Sequence, residues 1–92
     1  YISIGDNCVL GGDVMIIDSD YHSLDYLERR DDGGTVNHLP VKIGRDTFIG
    51  TRTIIGKGVS IGDRAIVAAG SLVVSDILKD QVWGGVPAVR IK

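Results

Sequence analysis

The stretch Ile43-Gly44-Arg45-Asp46-Thr47-Phe48-Ile49-Gly50-Thr51-Arg52-Thr53-Ile54-Ile55-Gly56-Lys57-Gly58-Val59-Ser60-Ile61-Gly62-Asp63-Arg64-Ala65-Ile66-Val67 decides the fold. Its large aliphatics at Ile43, Ile49, Ile55, Ile61 and Val67 stand six apart, and the spacing runs on to Val73. Upstream, Ile4, Leu10 and Ile16 keep the same period. Two residues before all but the first of these aliphatics lie Cys8, Val14, Val41, Thr47, Thr53, Val59, Ala65 and Ser71, none larger than Val, and Gly follows the aliphatic at Gly5, Gly11, Gly44, Gly50, Gly56 and Gly62. Residues two apart on an extended strand face the same side, so each unit offers one small and one large inward side chain. Gly with Asn or Asp then predicts a turn that tolerates positive φ. Six residues cannot bury an apolar face alone, whereas stacked copies line their faces up into one core. Neither a helical period nor plain alternation produces a strict six.

Composition agrees. The 92 residues include 13 Gly and only five aromatics (one Trp, three Tyr, one Phe), so the core is aliphatic. Twelve Ile, eleven Val and six Leu, mostly β-branched, favour extended backbone and argue against a helical bundle. With 43% hydrophobic and 24% charged residues the chain reads as a globular domain. No apolar run approaches the roughly 18 residues of a membrane span. Ten basic against twelve acidic residues give a net charge of −2, which removes the electrostatic case for nonspecific nucleic-acid binding. The lone Cys8 cannot form an internal disulfide and fits a reducing cytoplasm. The chain opens at Tyr1 with no targeting sequence and reads as one domain over 1–92, either a trimmed natural protein or a piece of a longer one. So short a chain exposes much of its surface as a monomer and is expected to seek partners.

The register breaks once. Ile16 to Ile43 is 27 residues, not a multiple of six, so residues 21–40 are expected to leave the scaffold as a loop, with the domain interrupted over 22–40. Long loops on rigid scaffolds carry function, and both histidines, His22 and His38, lie in this one. Asp18 and Asp20 precede His22 by four and two residues, so an extended segment would project all three to one side. A carboxylate beside an imidazole fixes its tautomer and stabilises its protonated form, as a general base requires. A solvated loop histidine with acidic neighbours is the competing reading of the same spacing. Arg29-Arg30, beside Glu28, Asp31 and Asp32, read as a solvated charge cluster.

The runs Ile4-Gly5-Asp6-Asn7-Cys8-Val9, Ile43-Gly44-Arg45-Asp46-Thr47-Phe48-Ile49-Gly50 and Ile61-Gly62-Asp63-Arg64-Ala65-Ile66 resemble the hexapeptide repeat of the left-handed β-helix acyltransferases. The resemblance implies an all-β fold: a single-stranded left-handed parallel β-helix of about three coils, three hexapeptides to a coil, with one long loop and a C-terminal tail. Ile16-Ile17-Asp18-Ser19-Asp20-Tyr21-His22 is similar to the run that carries the family's active histidine, which implies His22 as catalytic with Asp20 and Asp18 behind it. His38 matches no family motif, and a structural or acceptor-contacting role is expected of it.

Ile66-Val67-Ala68-Ala69-Gly70-Ser71-Leu72-Val73 and the tail Gly84-Gly85-Val86-Pro87-Ala88-Val89-Arg90-Ile91-Lys92 resemble sugar O-acetyltransferases of the galactoside and maltose type. That likeness implies acetyl-CoA as cosubstrate, with Thr51, Ala69 and Gly70 along the pantetheine arm and Arg90 and Lys92 toward the nucleotide phosphates. Two departures bear on the phosphate contacts: Val74-Ser75 stands where the family often has Thr-Lys, and Val89 displaces the tail's basic residue to Arg90. The implied reaction is direct acyl transfer to a small-molecule hydroxyl or amine, in a homotrimer with active sites between subunits. Trp83 is expected to pack the tail on the last coil, and Cys8 to fill an inward slot. A noncatalytic assembly module shares the scaffold. So does a γ-class carbonic anhydrase, but its histidine set is absent and no metal is expected.

Overall fold

The computed structural model describes residues 1–31 and 36–92. The strands β1 (Ile2–Ile4), β2 (Val9–Leu10) and β3 (Met15–Ile16) make a first coil. After an excursion whose described residues include the short helix α1 (Tyr26–Arg30), the strands β4 (Val41–Ile43), β5 (Phe48–Ile49) and β6 (Ile54–Ile55) make a second. The third is β7 (Ser60–Ile61), β8 (Ile66–Val67) and β9 (Leu72–Val73). Successive coils pair in parallel and form three sheets: β1-β4-β7, β3-β6-β9, and a larger one that runs from β2 through β5 and β8 to β10 (Val82–Gly85). The final strand, β11 (Ala88–Arg90), turns back antiparallel on β10.

The six-residue period becomes vertical columns. Ile4 stacks on Ile43 and Ile43 on Ile61; Leu10 on Ile49 on Val67; Ile16 on Ile55 on Val73. The small partners fill between them, with Thr47, Thr53, Ala65 and Ser71 all buried. Burial is deepest in the middle of the stack: Ile43 and Ile49 are 3% and 0% exposed, whereas Ile4 and Leu10, in the same columns of the first coil, are 45% and 40% exposed. Each fully buried Ile contributes about 1.5–3 kcal/mol, so the second and third coils carry most of the stability.

The recurring glycine does other work than the spacing suggests. Positive φ falls three residues after the inward aliphatic, at Asn7, Asp13, Asp46, Arg52, Gly58, Arg64 and Gly70, and not at the glycine that directly follows it. At Gly5, Gly11, Gly44, Gly50 and Gly62 that glycine is needed because the next coil passes too close for a side chain, whereas at Gly56 the nearest atom would be 3.5 Å away. A Cβ on Gly11 would lie 2.5 Å from the Thr51 amide nitrogen.

Beyond Val73 the period shortens. Asp76 accepts a hydrogen bond from the Ser60 N–H at 2.8 Å and tightens the corner, so Ile77 takes the next inward position, bridging to Ile61 and 2% exposed. The second and third coils therefore close before residue 78. Trp83 continues the Val67 column, packs against the core and donates its indole N–H to Gln81 at 2.9 Å, as expected of a residue seating the tail. Cys8 sits partly buried in its inward slot, where its thiol donates to the Gly44 carbonyl and accepts from the Thr47 hydroxyl, both at 3.1 Å.

The outer surfaces of the sheets differ. Ser3, Lys42 and Ser60 form a polar ladder on the first, whereas Val9, Phe48 and Ile66 on the second and Met15, Ile54 and Leu72 on the third are apolar. No helix among the described residues is long and apolar enough to cross a membrane.

Candidate active site

The chain leaves the coil earlier than residue 21, directly after Ile17, whose N–H still bonds to Ile55. Its outgoing and returning legs meet as a narrow neck. Ser19 bridges antiparallel to His38, the Asp20 N–H donates to the Asn37 carbonyl at 3.0 Å, and the Leu39 N–H donates to the Asp18 carbonyl at 3.0 Å. His38 thus has a structural place in the neck.

The extended path that would align Asp18, Asp20 and His22 is not adopted. Tyr21 takes φ 64, stabilised by its N–H donating to the Ser19 hydroxyl at 2.9 Å, and turns the chain before His22. Each carboxylate has its own partner. Asp18 pairs with the amino group of Tyr1, which holds its carboxyl below the ordinary value, with the charge of His38 adding to the effect. Asp20 pairs with Lys57 at 3.2 Å and accepts from the Asn37 side-chain amide at 3.3 Å.

His22 is exposed and held from both sides. Ser23, 4% exposed, donates to Glu28 at 2.8 Å and accepts from the Asp25 N–H. The Asp25 carboxylate then caps α1 by accepting from the amides of Leu27 and Glu28 at 2.8 and 3.2 Å. The loop therefore contains a capped helical turn instead of a featureless segment. In it Arg29 donates to the Ser23 carbonyl and Arg30 lies over the Tyr26 ring; Asp32 lies outside the described residues. Ser19 and Ser23, which flank the histidine, were not singled out by the period. Their signal is burial of a hydroxyl in a loop, which one sequence does not display.

A cleft of about 440 Å³ opens between the outgoing leg and the third sheet, lined by Ile17, Asp20, Tyr21, Ile54, Lys57 and Leu72. This volume lies within the range of small-molecule sites. At the other end of the third sheet, Thr51, Ala69 and Gly70 are exposed on one edge. There the Gly70 N–H donates to the Thr51 carbonyl at 2.8 Å, and the Thr51 hydroxyl donates to the Gly12 carbonyl at 2.6 Å. Nothing lies within 4 Å of the position a Cβ on Gly70 would take. Arg90, opposite Trp83, and Lys92, bonded through its backbone to Val82, recede from that edge along the second sheet. Lys92 lies four residues beyond Ala88, or about 13 Å of extended chain. The structure thus brings Thr51, Ala69 and Gly70 together and anchors the neck that leads to His22 at the far end of the third sheet, where Asp20 meets Lys57. Among the described residues, no group of three or more His, Cys, Asp and Glu side chains could hold a metal ion.

A coil of hexapeptides with an open edge of small residues and a histidine-bearing loop defines a class, and comparison with known proteins agrees. The model for the hexapeptide repeat of succinyl-transferase matches residues 1–17 and 40–75. The chain belongs to the hexapeptide-repeat acetyltransferase family. It is 34% identical to the galactoside O-acetyltransferase of Escherichia coli (strain K12) over 91 residues, covering 99% of this chain and 43% of that protein. Among solved structures it is similar to a hexapeptide-repeat acetyltransferase of Vibrio cholerae O1 biovar eltor complexed with acetyl coenzyme A. There the TM-score is 0.89 and the identity 37%, over 99% of this chain and 48% of that one. A galactoside acetyltransferase in complex with coenzyme A matches with TM-score 0.89 and 34% identity, over 99% of this chain and 44% of that one. The chain spans less than half the length of these relatives.

Proposed function

We propose that residues 1–92 form one acetyltransferase domain, a left-handed coil that moves an acetyl group from acetyl-CoA to a hydroxyl of a small-molecule acceptor, of saccharide type. The similarity to galactoside O-acetyltransferase favours the saccharide hydroxyl over an amine. Thr51, Ala69 and Gly70 line the pantetheine arm, since an edge without bulky side chains lets a thin chain lie against the backbone; Arg90 and Lys92 face the phosphates. The lone thiol of Cys8 fits a cytoplasmic setting.

His22 acts as general base. It takes the proton of the acceptor hydroxyl as that oxygen attacks the thioester carbonyl, and returns it to the departing thiolate of coenzyme A, so atoms and charge balance without a covalent enzyme intermediate. Backbone N–H groups steady the oxyanion. Asp20 and Asp18 support the loop that presents the imidazole.

The observation that carries this reading is the separation of the two halves of the site. From Thr51 to Lys57, which anchors the neck before His22, the chain crosses the third sheet, a span of up to about 20 Å at extended spacing, so in this reading the coenzyme edge of one copy takes His22 of another. The two apolar outer surfaces supply the contact, and pairing unlike faces of identical copies gives a ring where the rotation closes, which we assign to a trimer. The test is acetyl-CoA consumption with a panel of sugars, comparing wild type with His22→Ala. Loss of turnover with the assembly intact supports the assignment, and unchanged turnover overturns it.

A further inference from the structure

The turn Gly56-Lys57-Gly58, between β6 and β7, grips both legs of the excursion. On the outgoing leg, Lys57 Nζ lies 3.2 Å from Asp20 Oδ1, the two side chains being 30% and 19% exposed. On the returning leg, the Leu39 carbonyl accepts from the Gly58 N–H at 3.3 Å. The Leu39 side chain occupies the space beside Gly58, where a Cβ would lie 3.1 Å from Leu39 Cδ1. Asp20 spends its second carboxylate oxygen on the Asn37 side chain at 3.3 Å, while its N–H bonds to the Asn37 carbonyl. One oxygen of Asp20 therefore ties the neck to the coil and the other ties the two legs together. His22 follows two residues later, past the left-handed Tyr21. Sequence periodicity marks Lys57 only as a turn residue.

We propose that Lys57 is a positioning residue for His22: by holding Asp20 it fixes the outgoing leg on the coil and so sets the point from which the imidazole reaches the acceptor. The proposal rests on His22 as the general base. Magnitudes separate this role from plain stabilisation. A partly exposed ion pair contributes little to folding. A displacement of about 1 Å in a reacting group, by contrast, can cost about 100-fold in rate. Losing Lys57 should therefore damage turnover far more than stability. It should spare acetyl-CoA binding, because Thr51, Ala69 and Gly70 lie at the other end of the third sheet.

The test uses the full chain with Lys57→Met, Lys57→Arg, Asp20→Asn and the Lys57→Met/Asp20→Asn double variant. The expected result is a fall in kcat of about tenfold or more for Lys57→Met. KM for acetyl-CoA stays within about twofold and Lys57→Arg recovers most of the rate. The double variant is no worse than the poorer single one, because both break the same link. A kcat within about twofold of wild type for Lys57→Met, a rise in KM with kcat held, or additive losses in the double variant each overturn the proposal. Should the wild type transfer no acetyl group, the base assignment fails separately. The link is then judged by NMR: shifted His22 imidazole resonances in Lys57→Met, restored in Lys57→Arg, support it, and unmoved resonances overturn it.

Discussion

Gly50 lies so close beneath Ala69 that a Cβ on Gly50 would collide with the Ala69 amide nitrogen. The coil-to-coil approach at this edge is thus set by the absence of a side chain, and the same edge carries Ala69 and Gly70, assigned above to the coenzyme. Gly50→Ala should destabilise the chain by about 1–3 kcal/mol through forced backbone shift. At this size that is about 4–8 °C in melting temperature per kcal/mol. Gly12→Ala is the control: its Cβ would meet only the Thr51 hydroxyl at 3.4 Å. Equal melting temperatures for the two variants would refute the close-approach argument.

The gradient of burial along the Leu10-Ile49-Val67 column predicts a gradient of mutational cost. Ile49→Ala, at 0% exposure, should cost about 2–5 kcal/mol by losing apolar burial and leaving a cavity. Leu10→Ala, already 40% exposed, should cost under about 2 kcal/mol. Denaturant unfolding of both variants checks the order.

His22 makes a cleaner separation between chemistry and structure. It is exposed, so His22→Ala should leave the melting temperature within about 4 °C. Turnover should fall by about 10²–10⁴-fold, the usual worth of a general base. Steady-state kinetics alongside a thermal melt gives both numbers, and a variant that melts early with normal turnover would reverse the assignment.

Assembly is tested on the outer faces. Placing a charge on the apolar surfaces, as Phe48→Glu on the second sheet or Ile54→Glu on the third, should convert the proposed trimer to monomer, since a buried unpaired carboxylate is costly. Lys42→Glu, on the polar first sheet, should leave the trimer intact. Light scattering after size-exclusion chromatography reads the mass, and a trimer indifferent to Phe48→Glu and Ile54→Glu would place the contact elsewhere.

At one corner of the stack Arg64 holds Asp80 with bonds of 2.7 and 3.1 Å. Arg64 holds the Asp80 carboxyl below its ordinary value, and Asp80 in turn raises Arg64. A depressed carboxyl stabilises the fold above the unfolded value, near pH 4, and that contribution is lost as pH falls through the folded value. The gap in melting temperature between wild type and Asp80→Asn should be present at pH 7 and narrow as pH falls below about 4, and added salt should narrow it. A gap that persists at low pH would assign the effect to packing.

Most of the coil was legible because its period is a local property. A small and a large inward residue every six positions can be counted along one chain, and Ile43, Ile49 and Ile55 are inward wherever the stack stands. Ile77 was missed because the shortened corner depends on Asp76 reaching Ser60 in the previous coil. The glycine column was legible as a pattern but not in its cause, since closeness to the next coil is a distance between residues seventeen or more apart.

The sequence by itself determined the repeat, the parallel coil it implies, the place of the single excursion and the two histidines it carries, because periodicity and its interruption need no third dimension. Only the tertiary structure decided how the loop is held. Tyr21 turns the chain away from the extended path, Asp20 is committed to Lys57 and Asn37, and the neck before His22 and the Thr51–Gly70 edge stand at opposite ends of one sheet. These are relations between residues brought together by stacking, and their energies come from contacts that do not exist until the coils have closed.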